Sequence, residues 1–496
     1  MFEVMFEVAD LDRITAQTLG DEPYRLLIGG EWCQSASGAQ FGVYNPATGQ
    51  LLTHAPDAGS AETQAAIEAA YAALPGWSGL PAPERAVILR RVAALLMERR
   101  ERLATLITLE QGKPLQEARN EIAFAASFFT WFAGEAERLY GQLVPASVAN
   151  KRLLVWRQAV GVAALITPWN FPVGMLARKL SAALAAGCTV LCKPAEQTPL
   201  SAIALGRVLV EAGVPSGVVN IIACHDPVPF SEAIFADDRV RKISFTGSTE
   251  VGKLLISKSA AGVKRLSLEL GGNAPFIVFE DADLQAAVQG AVISKFRNAG
   301  QTCVCANRIF VQRSIYEAFA EQLIEAVCRL RVGNGLAPDV QIGPLIDQAA
   351  RQKVERHVQD ALAQGAQVRV GGGALAEGSL FWQPTVITDA HTDMLVAREE
   401  TFGPVAPLIA FESEDEVIQR ANDTQYGLAA YFYTRNVSRV FRVAERLEYG
   451  IIGVNDPLPS TAQAPFGGIK QSGLGREGGA TGIDEYLDVK YVALGI

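Results

Sequence analysis

Cysteine and histidine are scarce in this chain, which has seven cysteines and four histidines among 496 residues. An odd number of cysteines, spread thinly over a long sequence, argues against a secreted disulfide framework and favours a reducing compartment. The sequence also contains neither a Cys-x-x-Cys nor a His-Glu-x-x-His motif, and its histidines lie far apart. Because a structural zinc site needs clustered ligands of these types, we expect no metal site.

Basic residues are outnumbered, since 44 Lys and Arg stand against 53 Asp and Glu, which gives a formal net charge of −9. A nucleic-acid-binding protein normally carries a basic surface, so we expect no nucleic acid partner. The N-terminal segment has acidic residues where an export or transit signal would carry Lys or Arg, which predicts a cytoplasmic protein. Its repeated MFEV leaves open whether Met1 or Met5 is the native start.

One long uncharged run, residues 158–177, raises the question of a membrane span. The run is interrupted by PWNFP at residues 168–172. Its two prolines and its amide would leave backbone groups unpaired in lipid, at several kcal/mol each. We therefore interpret the run as a buried strand, a tight turn and a buried helix, and expect no membrane association.

The length of 496 residues predicts two to four domains, and hydrophobic periodicity predicts an α/β protein. From residue 61 to about 140, apolar residues recur every three or four positions, which predicts helices. Beyond residue 158, apolar strands alternate with helices, and a second such run starts near Glu269. This alternation indicates two α/β domains, each with a parallel sheet covered on both faces. One helix is predicted to begin at Thr198, as its cap, with Pro199 in the first turn.

Two glycine-rich motifs match nucleotide-binding loops only in part. Residues 473–478 read Gly-x-Gly-x-x-Gly, but too little chain follows for a dinucleotide-binding unit, so we predict a tight turn. Residues 247–253 approach the phosphate loop of NTPases, but Leu254 stands where that loop needs Ser or Thr. A strand that leads through glycine into a helix still offers a phosphate site at the helix start. An ordinary turn between strand and helix fits equally well.

Cys303 is a candidate nucleophile, because it lies in a polar, glycine-containing loop, RNAGQTCVCANR at residues 297–308. Nearby positive charge lowers the pKa of a thiol, and we expect Arg297 and Arg308 to supply it. The alternative is a structural cysteine.

Glu269 and Asn170 follow buried strands, at the sheet edge where open α/β proteins bind ligands. Glu269 stands beside two glycines, which suits a general base, although it could equally pair with Lys264 or Arg265. Asn170 is either a fixed amide donor or the polar residue of a turn.

Seven segments, taken together and in order, resemble the aldehyde dehydrogenase superfamily from about Leu27 to Leu494. They are PWNFP (168–172), KPAEQTP (193–199), FTGSTEVG (245–252), LELGGNAP (268–275), GQTCVCANR (300–308), EETFGPV (399–405) and PFGGIKQSGLGRE (465–477). Within the superfamily, GQTCVC with its second cysteine is similar to the succinate-semialdehyde dehydrogenase group.

The resemblance implies an architecture of two parallel-sheet α/β domains and a small β element. A Rossmann-like cofactor domain would comprise residues 1–135 and 158–268, and a catalytic domain residues 269–465. Residues 136–157 and 478–496 would form an oligomerisation element, so that a homodimer or a homotetramer is expected.

The same resemblance implies the chemistry. Cys303 would attack the aldehyde carbon, and Asn170 with the Cys303 backbone N–H would stabilise the oxyanion, at about 3–4 kcal/mol per donor. Glu269 would activate the water that hydrolyses the resulting thioester. The implied cofactor-binding residues are Thr167, Pro168, Trp169, Lys193, Glu196, Thr246, Gly247, Ser248, Glu400 and Phe402. Because the carboxylate of Glu196 would repel a 2′-phosphate, we expect NAD to be preferred over NADP.

The implied substrate is an aldehyde with a distal carboxylate, held by Arg178, Arg297 and Ser460. Planar guanidinium groups bind carboxylates well, although salt bridges on the domain surface are the alternative for both arginines. Succinic semialdehyde is the expected substrate, with glutaric semialdehyde as the alternative, because one methylene changes binding by only about 1–3 kcal/mol. Cys305 is either a passive neighbour or the partner of Cys303 in an oxidative switch, which would need loop movement.

Overall fold

The computed structural model of the chain describes residues 4–5, 8–20 and 23–496. The choice between Met1 and Met5 as the start concerns a segment that lies largely outside the described residues. From residue 158 onward most strands are apolar and buried on both faces, as expected for parallel sheets that are covered by helices.

The strands of the described part, in chain order, are β1 (Val4–Met5), β2 (Leu26–Ile28), β3 (Glu31–Cys33), β4 (Gln40–Tyr44), β5 (Leu51–Pro56), β6 (Gln142–Val144), β7 (Lys151–Ala159), β8 (Val162–Ile166), β9 (Thr189–Lys193), β10 (Val219–Ile221), β11 (Val240–Thr246), β12 (Arg265–Glu269), β13 (Ala274–Val278), β14 (Ala306–Gln312), β15 (Val332–Gly333), β16 (Gln367–Val370), β17 (Thr385–Thr388), β18 (Val405–Phe411), β19 (Ala429–Tyr433), β20 (Ile451–Val454), β21 (Gly473–Leu474) and β22 (Leu487–Gly495).

The α-helices are α1 (Leu11–Leu19), α2 (Ser60–Gly79), α3 (Ala82–Glu98), α4 (Arg100–Gln111), α5 (Leu115–Ala136), α6 (Pro172–Ala186), α7 (Pro199–Glu211), α8 (Val228–Ala236), α9 (Thr249–Ser259), α10 (Leu284–Phe296), α11 (Tyr316–Cys328), α12 (Gln348–Ala363), α13 (Leu395–Arg398), α14 (Glu414–Asn422) and α15 (Val437–Arg446).

The first large sheet has the strand order β21-β12-β11-β8-β9-β10-β2-β3. Its five central strands, β12 to β10 in that order, are parallel, and α2 and α6 both pack against β8 and β9. The chain runs from β8 outward to β10 and then returns to β11 on the other side of β8. This reversal creates a crevice beyond the carboxyl ends of β8 and β11, where open α/β sheets bind ligands.

The second large sheet has the order β16-β17-β18-β14-β13-β19-β20 and is parallel except for the edge strand β16. Residues 270–273 cross directly from the end of β12 in the first sheet to β13 in the second. The two sheets confirm the predicted α/β fold class with two parallel-sheet units. The domain boundaries given above stay a prediction.

A small antiparallel sheet, β22-β7-β6, joins the end of the chain to the segment between α5 and β8. Strands β7 and β22 pair along nine residues each, and several large apolar side chains of this sheet are exposed. The strands occupy parts of the two segments that were assigned to an oligomerisation element.

The uncharged run 158–177 forms β8, the turn at residues 167–171 and the first part of α6, which confirms the strand–turn–helix interpretation. Pro172 begins α6, and Gly187 ends it with a positive φ of 93°. Within the described part of the chain, no helix combines the length and the apolar character that crossing a bilayer requires.

The start of α7 differs from the prediction. Pro199 does stand in the first turn, but the hydroxyl of Thr198 caps nothing and has no hydrogen-bond partner among the described residues. The carboxylate of Glu110, at the end of α4, accepts hydrogen bonds from the backbone N–H groups of Leu200 at 2.9 Å and Ser201 at 2.8 Å. The cap is therefore a buried side chain from a distant helix.

Candidate active site

Two cavities meet at Cys303. The first, here called the arginine cavity, has a volume of about 260 Å³ and is lined among others by Glu117, Arg178, Arg297, Cys303, Ser460 and Phe466. The second, the glycine cavity, is lined among others by Pro168, Trp169, Asn170, Thr246, Gly247, Ser248, Cys303, Glu400 and Phe402. The structure thus brings most of the predicted site residues to two adjoining spaces with the candidate nucleophile between them.

The thiol of Cys303 is not activated in the way the sequence suggested. The pKa of Cys303 is raised to about 12, mainly by burial, and the carboxylates of Glu400 and Glu269 contribute to this rise. Arg178 and Arg297 lower this pKa, but they do not outweigh burial. The expected low pKa is therefore wrong for this state of the protein, and attack by Cys303 requires a group that takes its proton.

Arg308 does not serve the thiol of Cys303. Its guanidinium is buried and donates to the backbone carbonyls of Asn273 and Ala421, and to the hydroxyl of Tyr449 at 2.9 Å. The prediction that Arg308 supplies charge to Cys303 is wrong, because the side chain stabilises loop backbone instead. Arg297 does lower the pKa of Cys303, in the predicted direction.

Glu269 is buried, and both of its carboxylate oxygens lack a hydrogen-bond partner among the described residues. Lys264 donates to backbone carbonyls and Arg265 pairs with Asp488, so the ion-pair alternative for Glu269 is wrong. Burial, followed by the neighbouring carboxylate of Glu477, raises the pKa of Glu269 well above its usual range. A carboxylate with free acceptor atoms and a raised pKa is suited to take a proton.

Glycines beside these two residues allow a close approach of the chain. A Cβ atom at Gly272 would lie 2.5 Å from the carbonyl oxygen of Cys303, and one at Gly467 would lie 2.9 Å from Oε1 of Glu269. Gly272 therefore admits the backbone of the Cys303 loop. Gly467, which the sequence did not single out, leaves room for the carboxylate.

The amide of Asn170 is held against the Cys303 loop. Its Nδ2 donates to the carbonyl of Gln301 at 3.0 Å. The backbone carbonyl of Asn170 accepts hydrogen bonds from Nζ of Lys113 at 2.7 Å and from Nδ2 of Asn298 at 3.0 Å. These bonds hold the Asn170 amide against Gln301, which lies two residues before Cys303 in the sequence. This contact favours the donor interpretation over a simple turn residue.

A buried ion pair supports this turn from behind. Nζ of Lys113 lies 2.6 Å from Oε2 of Glu121, and both side chains are fully buried. Oε1 of Glu121 accepts hydrogen bonds from the N–H groups of Val173 at 2.9 Å and Gly174 at 3.0 Å, at the start of α6. Sequence reasoning missed both residues. Lys113 lies just before α5 and Glu121 within it, about 50 residues from the turn, and no local pattern links them to it.

The arginine cavity contains two guanidinium groups in different states. Arg178 is buried, forms an ion pair with Glu477 and lies over the ring of Phe466 at 4.1 Å from its centroid. Arg297 lies over the ring of Phe171 at 5.6 Å, and no carboxylate of the described part lies within ion-pair distance of it. Arg297 therefore has charge available for a bound anion, whereas that of Arg178 is shared.

The glycine cavity lies at the crevice between β8 and β11. Strand β11 ends at Thr246, Gly247 turns the chain, and Ser248 caps α9 by accepting a hydrogen bond from the N–H of Val251 at 3.3 Å. The buried hydroxyls of Thr246 and Thr167 have no partner in the described part of the chain. Free hydroxyls beside a helix N-terminus make a site that fits a pyrophosphate.

The far wall of this cavity comes from the loop after α13. Oε1 of Glu400 accepts a hydrogen bond from the N–H of Gly272 at 3.0 Å, and burial raises the pKa of Glu400 to about 7. Phe402, at a positive φ of 54°, meets the ring of Trp169 edge to face at 5.6 Å. Glu400 and Phe402 therefore line the same cavity as the glycine turn and Cys303.

Lys193 and Glu196 lie at the end of β9, beside this crevice. Nζ of Lys193 is 3.7 Å from a carboxylate oxygen of Glu196 and donates to the carbonyl of Pro194 at 3.0 Å. The side chain of Glu196 is 35% exposed, so its carboxylate can reach a ligand.

Cys305 is buried, and its thiol donates to the backbone carbonyl of Lys295 at 3.4 Å. Both Cys303 and Cys305 are free thiols. A disulfide between them could form only if the hydrogen bond from Cys305 to the Lys295 carbonyl broke. The redox role of Cys305 stays a prediction.

The sequence profile of the aldehyde dehydrogenase family matches residues 32–492. A succinate-semialdehyde dehydrogenase [NADP(+)] of Escherichia coli is 55% identical over 95% of this chain and 97% of its own length. A glutarate-semialdehyde dehydrogenase of Pseudomonas putida is 54% identical over 95% of this chain and 97% of its own. The crystal structure of succinate-semialdehyde dehydrogenase from Burkholderia pseudomallei superposes with a TM-score of 0.94 at 54% identity, covering 96% of this chain and 98% of that one.

Proposed function

Since the chain belongs to the aldehyde dehydrogenase family, we propose that it oxidises succinic semialdehyde to succinate. We propose NAD as the preferred cofactor because of Glu196, although the 55% identical relative from Escherichia coli is named for NADP(+). The observation that supports the proposed oxidation best is the position of Cys303, which borders both cavities. An aldehyde in the arginine cavity and a cofactor in the glycine cavity would both reach its sulfur. The free charge of Arg297 suits an aldehyde whose far end is a carboxylate.

The first step is addition of Cys303 to the aldehyde carbon, which forms a C–S bond and turns the carbonyl into an oxyanion. The thiol proton must leave, and Glu269 has two unused carboxylate oxygens and a raised pKa. The amide of Asn170 and the Cys303 N–H would donate to the oxyanion. Removal of one such donor costs about 3–4 kcal/mol of transition-state stabilisation.

When bound in the glycine cavity, NAD would supply the hydride acceptor that converts the Cys303 adduct to a thioester. The residues present fit this cofactor, because Thr246, with its free hydroxyl, and Ser248 at the start of α9 line the glycine cavity. Thr167, whose hydroxyl is also free, directly precedes Pro168 in the wall of this cavity. Glu400 lines the same cavity and would bind the nicotinamide ribose. Once Glu269 has passed the thiol proton to solvent, it would take a proton from water, and the resulting hydroxide would attack the thioester carbon. The C–S bond would then break, which releases the acid and the Cys303 thiolate.

Glutaric semialdehyde is the alternative substrate, supported by the 54% identity to a glutarate-semialdehyde dehydrogenase. The test is NAD reduction, followed by absorbance, with succinic semialdehyde, glutaric semialdehyde and propanal side by side. We expect the highest kcat/KM for succinic semialdehyde. Equal kcat/KM for propanal would contradict the proposed preference for carboxylate-bearing aldehydes.

NAD preference is proposed because the partly exposed carboxylate of Glu196 would repel the 2′-phosphate of NADP and could accept hydrogen bonds from a ribose. Glu196→Ser should raise kcat/KM for NADP at least about tenfold, as expected when about 1.4 kcal/mol of repulsion is removed. Steady-state kinetics with both cofactors measures this change. A wild-type kcat/KM that is higher for NADP than for NAD would overturn the assignment.

We also propose a homodimer or homotetramer that forms through the small sheet, in a reducing cytoplasm. Strand β6 is an unpaired sheet edge within the described structure, and large apolar side chains are exposed on this sheet. Such an edge is a template for pairing with another chain unless it is covered. The seven free thiols fit a reducing compartment.

A further inference from the structure

Glu117 is a carboxylate in the wall of the arginine cavity to which the proposed chemistry gives no role. It lies in the first turn of α5, and its Oε2 accepts a hydrogen bond from the backbone N–H of Asn298 at 2.8 Å. Asn298 directly follows Arg297. The carboxylate of Glu117 is therefore fixed beside the backbone segment that carries the guanidinium of Arg297.

The other charges of this cavity are neutralised in pairs. Glu121, which also lines it, forms its ion pair with Lys113 at 2.6 Å. Arg178 pairs with Glu477. Glu117 forms no ion pair with any cation of the described part, although Arg297 and Lys113 both act on it through space. The net charge that a ligand meets is therefore set by Arg297 and Glu117 together.

We propose that Glu117 is a specificity-determining residue, whose ionisation sets how strongly the arginine cavity attracts an anionic aldehyde. With Glu117 protonated, the charge of Arg297 acts on the substrate carboxylate unopposed. With Glu117 ionised, the two charges oppose one another, and binding of a carboxylate weakens while binding of an uncharged aldehyde does not change. The inference rests on the proposed function, since it presumes a substrate with a distal carboxylate.

The protonation of Glu117 changes in the range where enzymes work. Burial raises the pKa of Glu117 to about 7, the carboxylate of Glu121 adds to this, and Lys113, Arg297 and the Asn298 N–H oppose it. Cys303 and Arg178 are the remaining ionisable groups of the cavity wall. A rise in pH from 6 to 8 therefore adds negative charge to the cavity at Glu117, and the affinity for an anion falls.

The test is the ratio of kcat/KM for succinic semialdehyde to kcat/KM for propanal, measured at pH 6, 7 and 8. Titration of Cys303 or Glu269 also changes the charge near the substrate, but it is common to the wild type and to Glu117→Gln, so the difference between their pH profiles isolates Glu117. In the wild type we expect ionisation of Glu117 to lower the ratio about fivefold from pH 6 to pH 8, as a nearby opposing charge requires. Glu117→Gln keeps an acceptor for the Asn298 N–H, and its ratio should fall less with pH and exceed that of the wild type at pH 8.

A matched control is Asn120→Gln, one turn further along α5 in the same cavity wall, which changes no charge and should leave the pH profile as in the wild type. A ratio with the same pH dependence in Glu117→Gln and wild type would overturn the inference. So would an equal loss of kcat/KM for both aldehydes, which indicates a purely structural role of the bond to Asn298. If Arg297→Ala leaves the ratio unchanged at all pH values, the proposed substrate class fails instead.

Discussion

Arg297 and Arg178 line the same cavity, yet removal of either side chain should have different consequences. Arg178 is buried and paired with Glu477, so its loss would leave a buried carboxylate without its partner. Arg297 has no such partner in the described structure and faces the space where a substrate carboxylate would bind. Arg297 is therefore the better position at which to test the recognition of the carboxylate.

Arg297→Ala should raise KM for succinic semialdehyde about tenfold to a hundredfold, because a hydrogen bond to a charged group contributes about 1.5–3 kcal/mol. KM for propanal should change by less than about threefold, as expected when only an apolar contact is altered. Steady-state kinetics with both aldehydes gives the two values. Arg313→Ala, which removes an exposed surface arginine, is the control and should change neither. Equal increases for both aldehydes would contradict the carboxylate-binding role of Arg297.

Cys305 is the second residue whose role a single substitution can decide. Hydrogen peroxide would oxidise the thiols of Cys303 and Cys305 to a disulfide and would itself be reduced to water. The enzyme should then lose activity and regain it with dithiothreitol. The bond from Cys305 to the Lys295 carbonyl must break first, so inactivation should be slow. In Cys305→Ala the rescue by dithiothreitol should be lost, because Cys303 would oxidise further without a partner. Unchanged inactivation and rescue in this variant would refute the switch.

At the scale of elements, α12 fixes the loop that carries Glu400. His357 on α12 is fully buried, with Nε2 at 3.0 Å from a carboxylate oxygen of Glu399 and Nδ1 at 3.2 Å from the hydroxyl of Thr401. Nδ2 of Asn307 donates to the carbonyl of Glu399 at 2.8 Å. The loop is thus tied on both sides of Glu400 to a helix and a strand.

Burial lowers the pKa of His357 to about 4, whereas in the unfolded chain it is about 6.5. As the pH falls from 6.5 to 4, the unfolded state binds a proton that the folded state does not bind. The free energy of unfolding should therefore fall in this window, by on the order of 2–3 kcal/mol at its lower end, and should not depend on His357 above it. Urea unfolding at pH 7 and pH 5 measures the change.

His357→Gln provides the comparison, because Gln can bond to the same loop but does not titrate. The difference in unfolding free energy between pH 7 and pH 5 should be smaller in this variant than in the wild type. An identical pH dependence in both would show that protonation of His357 does not destabilise the fold.

Local patterns in the sequence were sufficient to predict most helices and strands. They did not predict the interactions that come from residues distant in sequence. The helix that follows Thr198 was predicted from its cap and first-turn proline, and the strand before Asn170 from its apolar run, and both exist. The cap of α7 was not, because Glu110 comes from another helix. The pKa of Cys303 was predicted in the wrong direction, because burial by segments far apart in sequence exceeds the effect of neighbouring arginines.

At the scale of the whole molecule, the small sheet β22-β7-β6 is the surface on which the proposed oligomer depends. Leu143 in β6 is 68% exposed, although leucine is most often buried in folded proteins. Leu143→Glu should lower the mass measured by size exclusion with light scattering towards that of one chain, because it places a charge in the contact. Val437→Glu on α15 is the matched control, since Val437 is also 68% exposed, and it should leave the mass unchanged. An oligomer that persists in Leu143→Glu would show that β6 is not part of the contact between subunits.

The two-domain organisation followed from the alternation of strands and helices, and the two large sheets agree with it. The contact between the sheets could not be inferred from that alternation. It depends on Gly272, where the chain crosses from β12 to β13 so closely that a side chain would collide with the Cys303 carbonyl. The absence of a side chain at this position thus lets the segment that follows Glu269 approach the Cys303 loop.

The two cavities border Cys303 separately, one lined by arginines and the other by the glycine turn. With the aldehyde and the cofactor bound as proposed, neither would exclude the other, so a ternary complex would assemble in either order. It follows that succinate, the proposed product, should compete with the aldehyde but not with NAD. Double-reciprocal plots for the two substrates should accordingly intersect rather than run parallel.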